Sequence, residues 1–189
     1  MQYGWTVDRL FELHDVLSKT SSSFEVQRGY IALGSNLGNS REIISQAIER
    51  LQNFSSKPLL KSSLWQTTPV DCPPDSPPFV NAVVGLIPVP GETPESLLQK
   101  LQWIEKDFGR PLKTILNEPR PLDLDLITFG KETRTSRQLT LPHPRAHERR
   151  FVLQPLSEIA PDLFLSSQSK SVRELLANLR TDEELKRLE

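Results

Sequence analysis

The hydrophobic patterning of this chain predicts an α+β domain: an antiparallel sheet with helices packed against it. Two observations lead there. Apolar runs of strand length and segments of helical period alternate in the order β-α-β-β-α-β. The 189 residues, 37% of them hydrophobic, suffice for one domain with a real core.

The elements follow in chain order. Tyr30 to Leu33 reads as a strand, and Gly34 to Asn39 as a turn. Asn39 or Ser40 can cap a helix that buries Ile44, Ala47, Ile48 and Leu51. Residues 58–67 (PLLKSSLWQT) predict a second strand, and Phe79 to Val89 a third. Between them VDCPPDSPP, Val70 to Pro78, is expected to be extended and partly stiff, because proline fixes its own φ and restricts the residue before it. The next helix is the most clearly marked. Thr93 suits its N-cap, Pro94 its first position and Gly109 the place just past its end, and Leu97, Leu98, Leu101, Ile104 and Phe108 make its apolar stripe. RPLKTILNEP, Arg110 to Pro119, is irregular, and the fourth strand runs within RPLDLDLITFG, Arg120 to Gly130. Ser171 and Glu174 have capping-box spacing and predict a C-terminal helix reaching about Leu188. This order is the split βαβ arrangement: a ferredoxin-like βαββαβ sandwich with an antiparallel sheet, helices on one face and an extra C-terminal helix. Residues 1–28 differ from the rest. Val7, Leu10, Phe11, Val16 and Leu17 suggest a short helix, and SKTSSS a linker, so 1–28 reads as an N-terminal extension and 29–189 as the main domain.

Composition narrows the function classes. A net charge of −1 gives no global field toward nucleic acid or anionic membrane. No apolar run is long enough to span a bilayer, and charged residues interrupt the N-terminus where a signal peptide would be apolar. The single cysteine, Cys72, has no internal disulfide partner, which suits a reducing compartment. A cytoplasmic location is expected.

Asp123 and Asp125 carry the chemistry. On a strand they point the same way, with Leu122, Leu124 and Leu126 pointing into the core. Two like charges so close repel, and a divalent cation removes the conflict. Mg²⁺ suits hard oxygen donors, with substrate phosphates completing its shell. Cations gather around the pair: Arg110, Lys113 and Arg120 before it, His143, Arg145, His147, Arg149 and Arg150 after it. Carboxylates for the metal and arginines for phosphate oxygens are the parts of phosphoryl transfer. GSNLGN at 34–39 lacks the Lys-Ser/Thr end of a P-loop and suffices as a strand-to-helix turn. His143 and His147 have helical zinc spacing, but Pro142 and Pro144 argue against a helix there.

Beyond this parts list, YIALGSNLGN, the T-x-P and F-x-N elements of TTPVDCPPDSPPFVNA, IEKDFGR, PRPLDLDLITFG and LPHPRAHERRF together resemble 6-hydroxymethyl-7,8-dihydropterin pyrophosphokinases, over about residues 29–163. The resemblance implies transfer of the β,γ-pyrophosphoryl unit of ATP to the hydroxymethyl group of the dihydropterin, with release of AMP, in folate biosynthesis. It implies two Mg²⁺ ions on Asp123 and Asp125, ATP as co-substrate, and small molecules as the only partners of a monomer or weak dimer, without nucleic acid or membrane. Phe79 and Phe151 match a pterin sandwich, Asn81 a pterin-edge hydrogen bond, and Thr67, Thr68, Pro69 and Val70 the adjoining wall. Gln102, Glu105, Arg110, Arg120, Leu126, Thr140, His143 and Arg149 match the ATP pocket, and Arg110, Arg120, Asp123 and Asp125 the catalytic set.

The chain departs from the pattern at Leu112, Asn117, Glu118 and Pro144, where the family often has arginine, tryptophan, a small residue, and an aromatic or polar one. Lys113 is a candidate substitute for the missing arginine, and the loops at 70–78 and 110–119 are candidate lids. After residue 163 a single helix is expected, with no second folate enzyme. Two other classes fit the residues less well. An RNA-binding module of this fold would place aromatics and basic side chains where this strand has aspartates. A metal-dependent nucleotide hydrolase would need no pterin.

Overall fold

The structure, a computed structural model, describes residues 27–110, 118–165 and 168–188. Most of the expected N-terminal extension, together with Leu112, Lys113 and Asn117, therefore lies outside the described residues. In chain order the elements are β1 (Gly29–Ser35), α1 (Ser40–Gln52), β2 (Leu60–Lys61), β3 (Trp65–Thr67), β4 (Phe79–Leu86), α2 (Pro94–Asp107), β5 (Asp123–Phe129), β6 (Arg134–Thr135), β7 (Thr140–Leu141), α3 (Arg150–Ile159), α4 (Val172–Asn178) and β8 (Leu185–Arg187). A 3-10 turn, Ala146–Glu148, precedes α3.

The main sheet has the order β5-β1-β4-β3-β8, with β2 also paired to β4, and every pairing is antiparallel. This is the ferredoxin-like α+β architecture. Alternation along the central strands splits the core in two. Ile31, Leu33, Val84, Leu86, Leu124 and Leu126 pack on Ile44, Leu51, Leu97, Leu101 and Ile104 of α1 and α2. Tyr30, Val83 and Ile127, on the opposite face, pack on Val152, Leu153 and Leu156 of α3 and Val172 of α4. Helices thus cover both faces, where the sequence predicts one. Near the other end of the strands Ala32, Gly34, Phe79, Asn81, Asp123 and Asp125 line a cavity instead.

The α2 signals all operate. Thr93 accepts from the Ser96 N–H, Ser96 closes the capping box, and Gly109 takes a φ of +81° that other residues rarely adopt. Three expectations need correction. The strand over 58–67 is two short ones. Ser62 N still donates to Val83 O at 3.0 Å, but the return bond from Val83 N goes to Ser62 Oγ at 2.9 Å instead of to a backbone carbonyl. RFVLQPLSEI is a helix not expected from the sequence. Pro155 lies within α3, but Val152, Leu153 and Leu156 still bury an amphipathic face. The C-terminal helix is shorter than expected. Its capping box forms, but Leu179 turns extended and β8 pairs along β3, Trp65 facing Arg187 and Thr67 facing Leu185. Pairing to an open sheet edge overrides the helix propensity of DEELKRL.

Candidate active site

Strand register builds the site. Gly34 lies opposite both Asn81 and Asp123, and Ala32 opposite Asp125, so β4, β1 and β5 bring these side chains onto one patch of sheet. Lack of a side chain at Gly34 keeps the patch open: a Cβ there would come within 3.0 Å of Asn81 Oδ1. The patch floors a cavity of about 490 Å³. Thr67, Thr68, Val70, Phe79 and Asn81 line it from β3, the proline-rich loop and β4. Gln102, Glu105, Arg110, Arg120, Asp123 and Asp125 line it from α2, its C-terminal exit and β5, and His143, Arg149 and Phe151 from the segment entering α3.

Charge organises the acidic end. Asp123 accepts from Arg110 Nη1 at 2.7 Å and from Arg120 Nη2 at 2.6 Å. Asp125 has looser partners, Arg149 Nη1 at 3.6 Å and His143 Nε2 at 4.0 Å. Burial, then the neighbouring Asp123 charge, pushes the Asp125 carboxyl above its ordinary range, against the pull of His143, Arg149 and Arg120. Burial likewise lowers the His143 pKa, with Asp125 opposing. Glu105 stands behind the pair. It accepts from Leu124 N at 2.7 Å and pairs with Arg110, and burial outweighs both contacts to push its pKa up to about 7.

The aromatic end is tied to the same arginines. The Arg120 guanidinium lies 5.6 Å from the Phe79 ring centroid and that of Arg149 lies 5.4 Å from Phe151, both within cation–π range. In the same cavity lining, Asn81 Nδ2 donates to Thr67 Oγ1 at 2.7 Å. Asn36, buried in the turn after β1, clamps the approach. Its Oδ1 accepts from Arg120 N at 2.8 Å, its own N–H donates to Arg120 O at 3.2 Å, and its Nδ2 donates to Pro77 O at 3.2 Å. Arg145 Nη2 pairs with Asp71 at 3.0 Å and ties the proline-rich loop to the opposite wall.

The cavity collects most of the residues singled out from the sequence. Pro69, Leu126 and Thr140 are not among its lining residues. Leu126 is in the core because strand alternation turns its side chain from the aspartate face, and Thr140 is on β7, which pairs with β6 outside the main sheet. Ala32, Leu33, Gly34, Asp71, Cys72, Leu98 and Leu124 also line the cavity, although the sequence does not mark them for the site, and Arg145, expected only among the cations near the aspartates, joins them. Gly34, expected to open a turn, instead continues β1 and lies opposite Asp123, a register that local pattern does not mark; the Asp71–Arg145 pair, 74 positions apart, is equally invisible to local pattern.

The fold and the cavity define a class: a ferredoxin-like α+β protein with a carboxylate pair ringed by arginines beside two aromatic side chains. The comparisons are more specific. Residues 30–161 match the model of the 7,8-dihydro-6-hydroxymethylpterin-pyrophosphokinase (HPPK) family, and the chain belongs to that family. It is 39% identical over 153 residues to the 2-amino-4-hydroxy-6-hydroxymethyldihydropteridine pyrophosphokinase of Pseudomonas aeruginosa, covering 80% of this chain and 91% of that one. It is 40% identical over 151 residues to the protein of the same name from Haemophilus influenzae, covering 78% and 89%. The "Folic acid synthesis protein fol1" of Pneumocystis carinii is 42% identical over 145 residues, 77% of this chain but only 19% of that longer protein. Among solved structures, wild-type HPPK-DHPS of Plasmodium falciparum with pteroate superposes with a TM-score of 0.63 over 84% of this chain and 45% of that one. At 12% identity it shares the fold.

The donor set fits a magnesium-type ion. Asp123 and Asp125 offer hard oxygens from one strand face into one cavity, and the Asp125 carboxyl is raised first by burial and then by the Asp123 charge, the second of which a cation would relieve. Among the described residues no group of three or more His, Cys, Asp and Glu side chains could hold a metal. Two carboxylates leave the remaining positions to phosphate oxygens and water, the usual arrangement for Mg²⁺.

Proposed function

We propose that this chain transfers the pyrophosphoryl unit of ATP to the hydroxymethyl group of 6-hydroxymethyl-7,8-dihydropterin, releasing AMP. The observation that carries this reading is the joining, in one cavity, of a same-face carboxylate pair, the three arginines paired with it and two aromatic rings. Relatives that this chain nearly spans, named for this pyrophosphokinase, support it.

Phe79 and Phe151 hold the pterin plane, Asn81 hydrogen-bonds its edge, and Thr67, Thr68, Pro69 and Val70 form the wall beside it. Existing contacts support Asn81, whose amide is already fixed by Thr67. Arg110, Arg120, His143 and Arg149 bind nucleotide and phosphate oxygens, with Gln102 and Glu105 beside them. Leu126 and Thr140 complete the ATP site, Leu126 through its main chain, since its side chain is in the core. Asp123 and Asp125 hold the metal, two Mg²⁺ ions in the full reading, which supplies charge neutralisation of the phosphates and a lowered pKa for the pterin hydroxyl.

The protein's own groups do the rest by positioning and electrostatics. Arg110 and Arg120 neutralise Asp123 at 2.7 and 2.6 Å and present further N–H donors for phosphate oxygens. Their planar forks match phosphate bidentately, so charge that grows on the transferred group meets donors already in place. No side-chain general base is assigned, because both strand carboxylates are committed to cations. Glu105 holds the outer edge of β5 through Leu124 N and sets Arg110. Among the described residues no helix is long and apolar enough to cross a membrane. We place the activity in the cytoplasm, on small molecules, in a monomer or weak dimer.

Incubation with ATP, Mg²⁺ and the hydroxymethyl dihydropterin tests the reading. Pterin-dependent AMP release supports it. AMP or ADP formed without pterin indicates a nucleotide hydrolase, and no turnover indicates a binding module.

A further inference from the structure

Glu183 is a buried carboxylate, with a relative exposure of 8%. It lies in the segment between α4 and β8 and does not line the cavity. Its two oxygens face the start of α3: Oε2 accepts from Phe151 N at 3.0 Å and Oε1 from Arg150 N at 3.4 Å. Arg150 Nη1 returns a bond to Glu183 O at 3.4 Å. The α3 N-cap position is Arg149, whose own side chain makes no capping bond. The first N–H groups of a helix have no partner within it, and a carboxylate there also meets the positive end of the helix dipole. Glu183 therefore supplies, from more than thirty residues further along the chain, the cap that Arg149 does not.

The next residue binds the opposite wall. Glu184 N donates to Thr68 Oγ1 at 3.2 Å, and Thr68 N donates to Glu184 O at 3.2 Å. β8 then continues this pairing along β3, with Leu185 opposite Thr67. Thr67 and Thr68 line one side of the cavity's aromatic end, and Phe151 lines another. Two consecutive tail residues thus hold both.

We infer that Glu183 is a positioning residue for the pterin site: with Glu184 it clasps the Phe151 wall to the Thr67–Thr68 wall and sets the width of the slot between them. The inference rests on the proposed pterin pocket. Its ligand is the flat heterocycle, so the effect belongs to pterin affinity and leaves ATP affinity nearly untouched.

The test compares Glu183→Gln with Glu174→Gln and Phe151→Ala. Gln retains one acceptor for two backbone donors and loses the charge. Glu174 closes the capping box of α4, accepting from Ser171 N at 2.8 Å and from Ser171 Oγ at 2.7 Å, so its variant reports the cost of a lost cap outside the cavity lining. Calorimetric titration with 6-hydroxymethyl-7,8-dihydropterin in the presence of a non-hydrolysable ATP analogue should show Glu183→Gln weakened about tenfold, the scale of one helix cap. The KM for ATP should change less than twofold. Glu174→Gln should lose thermal stability with pterin affinity unchanged. A shift under twofold for Glu183→Gln, or equal shifts for both glutamine variants, overturns the inference. Hydrogen exchange on the unaltered protein needs no variant: pterin should raise protection at residues 149–152 and 183–187 together. If residues 183–187 do not respond, the clasp is absent. If Phe151→Ala leaves pterin affinity intact, the pocket assignment fails rather than the clasp.

Discussion

Asp123 and Asp125 are predicted to answer the same substitution differently. Asp123 is the hub of the acidic end, taking Arg110 at 2.7 Å and Arg120 at 2.6 Å, with all three side chains 15–18% exposed. Hydrogen bonds to a charged group contribute roughly 1.5–3 kcal/mol each when well buried, and residual solvent reduces that. Asp123→Asn removes the charge from both and leaves two guanidinium groups crowded together, at a cost of about 2 kcal/mol. In a domain of this size that corresponds to a fall in Tm of about 4–8 °C. Among the described residues the ionic contacts of Asp125 are long, at 3.6 and 4.0 Å, and it ionises against burial and against Asp123. Asp125→Asn relieves that repulsion, so the Tm without metal should stay level or rise. Both variants should lose turnover by about a thousandfold or more, as expected when charge stabilisation at a phosphoryl-transfer centre is removed. Thermal melts in chelator, paired with AMP-release assays in Mg²⁺, measure both effects. Equal destabilisation by the two variants would refute the charge layout, and near-normal turnover in either would refute the metal assignment.

Other outcomes follow from neighbouring groups. Glu105 has a folded pKa of about 7 against an ordinary 4.5, so its protonated form belongs to the folded state. Stability relative to Glu105→Gln should therefore fall by roughly 3 kcal/mol as pH rises from about 4.5 to about 7 and then level off; urea titrations giving a constant difference would contradict this. Gly34→Ala places a methyl 3.0 Å from Asn81 Oδ1, and displacing that amide should raise the KM for pterin several-fold with little change for ATP. Asn36→Ala frees Arg120 from the clamp and should lower kcat more than it raises either KM; an unchanged kcat would remove Asn36 from the positioning of Arg120.

Legibility in the sequence depended on how local the deciding force was. The α2 helix could be read from both ends because Thr93, Pro94 and Gly109 act on their immediate neighbours. β5 was legible because period-two alternation alone puts Leu122, Leu124 and Leu126 in the core and both aspartates on the opposite face. The same rule could have removed Leu126 from the ATP pocket as a side chain. α3 was hidden by Pro155, although Val152, Leu153 and Leu156 have helical spacing. β8 was hidden for a different reason. Nothing in LKR marks a strand, and the open edge of β3 decides its state. Local pattern shows Asn36 only as part of a turn, since its two partners, Pro77 and Arg120, lie 41 and 84 positions away.

In the proposed reaction the β and γ phosphoryl groups of ATP move together onto the pterin. ATP labelled at its β phosphorus tests this directly. Incubated with Mg²⁺, the hydroxymethyl dihydropterin and the protein, the label should appear in a pterin diphosphate, with AMP as the unlabelled product. Label retained in ADP beside a pterin monophosphate, or released as free pyrophosphate whether or not pterin is present, would contradict it.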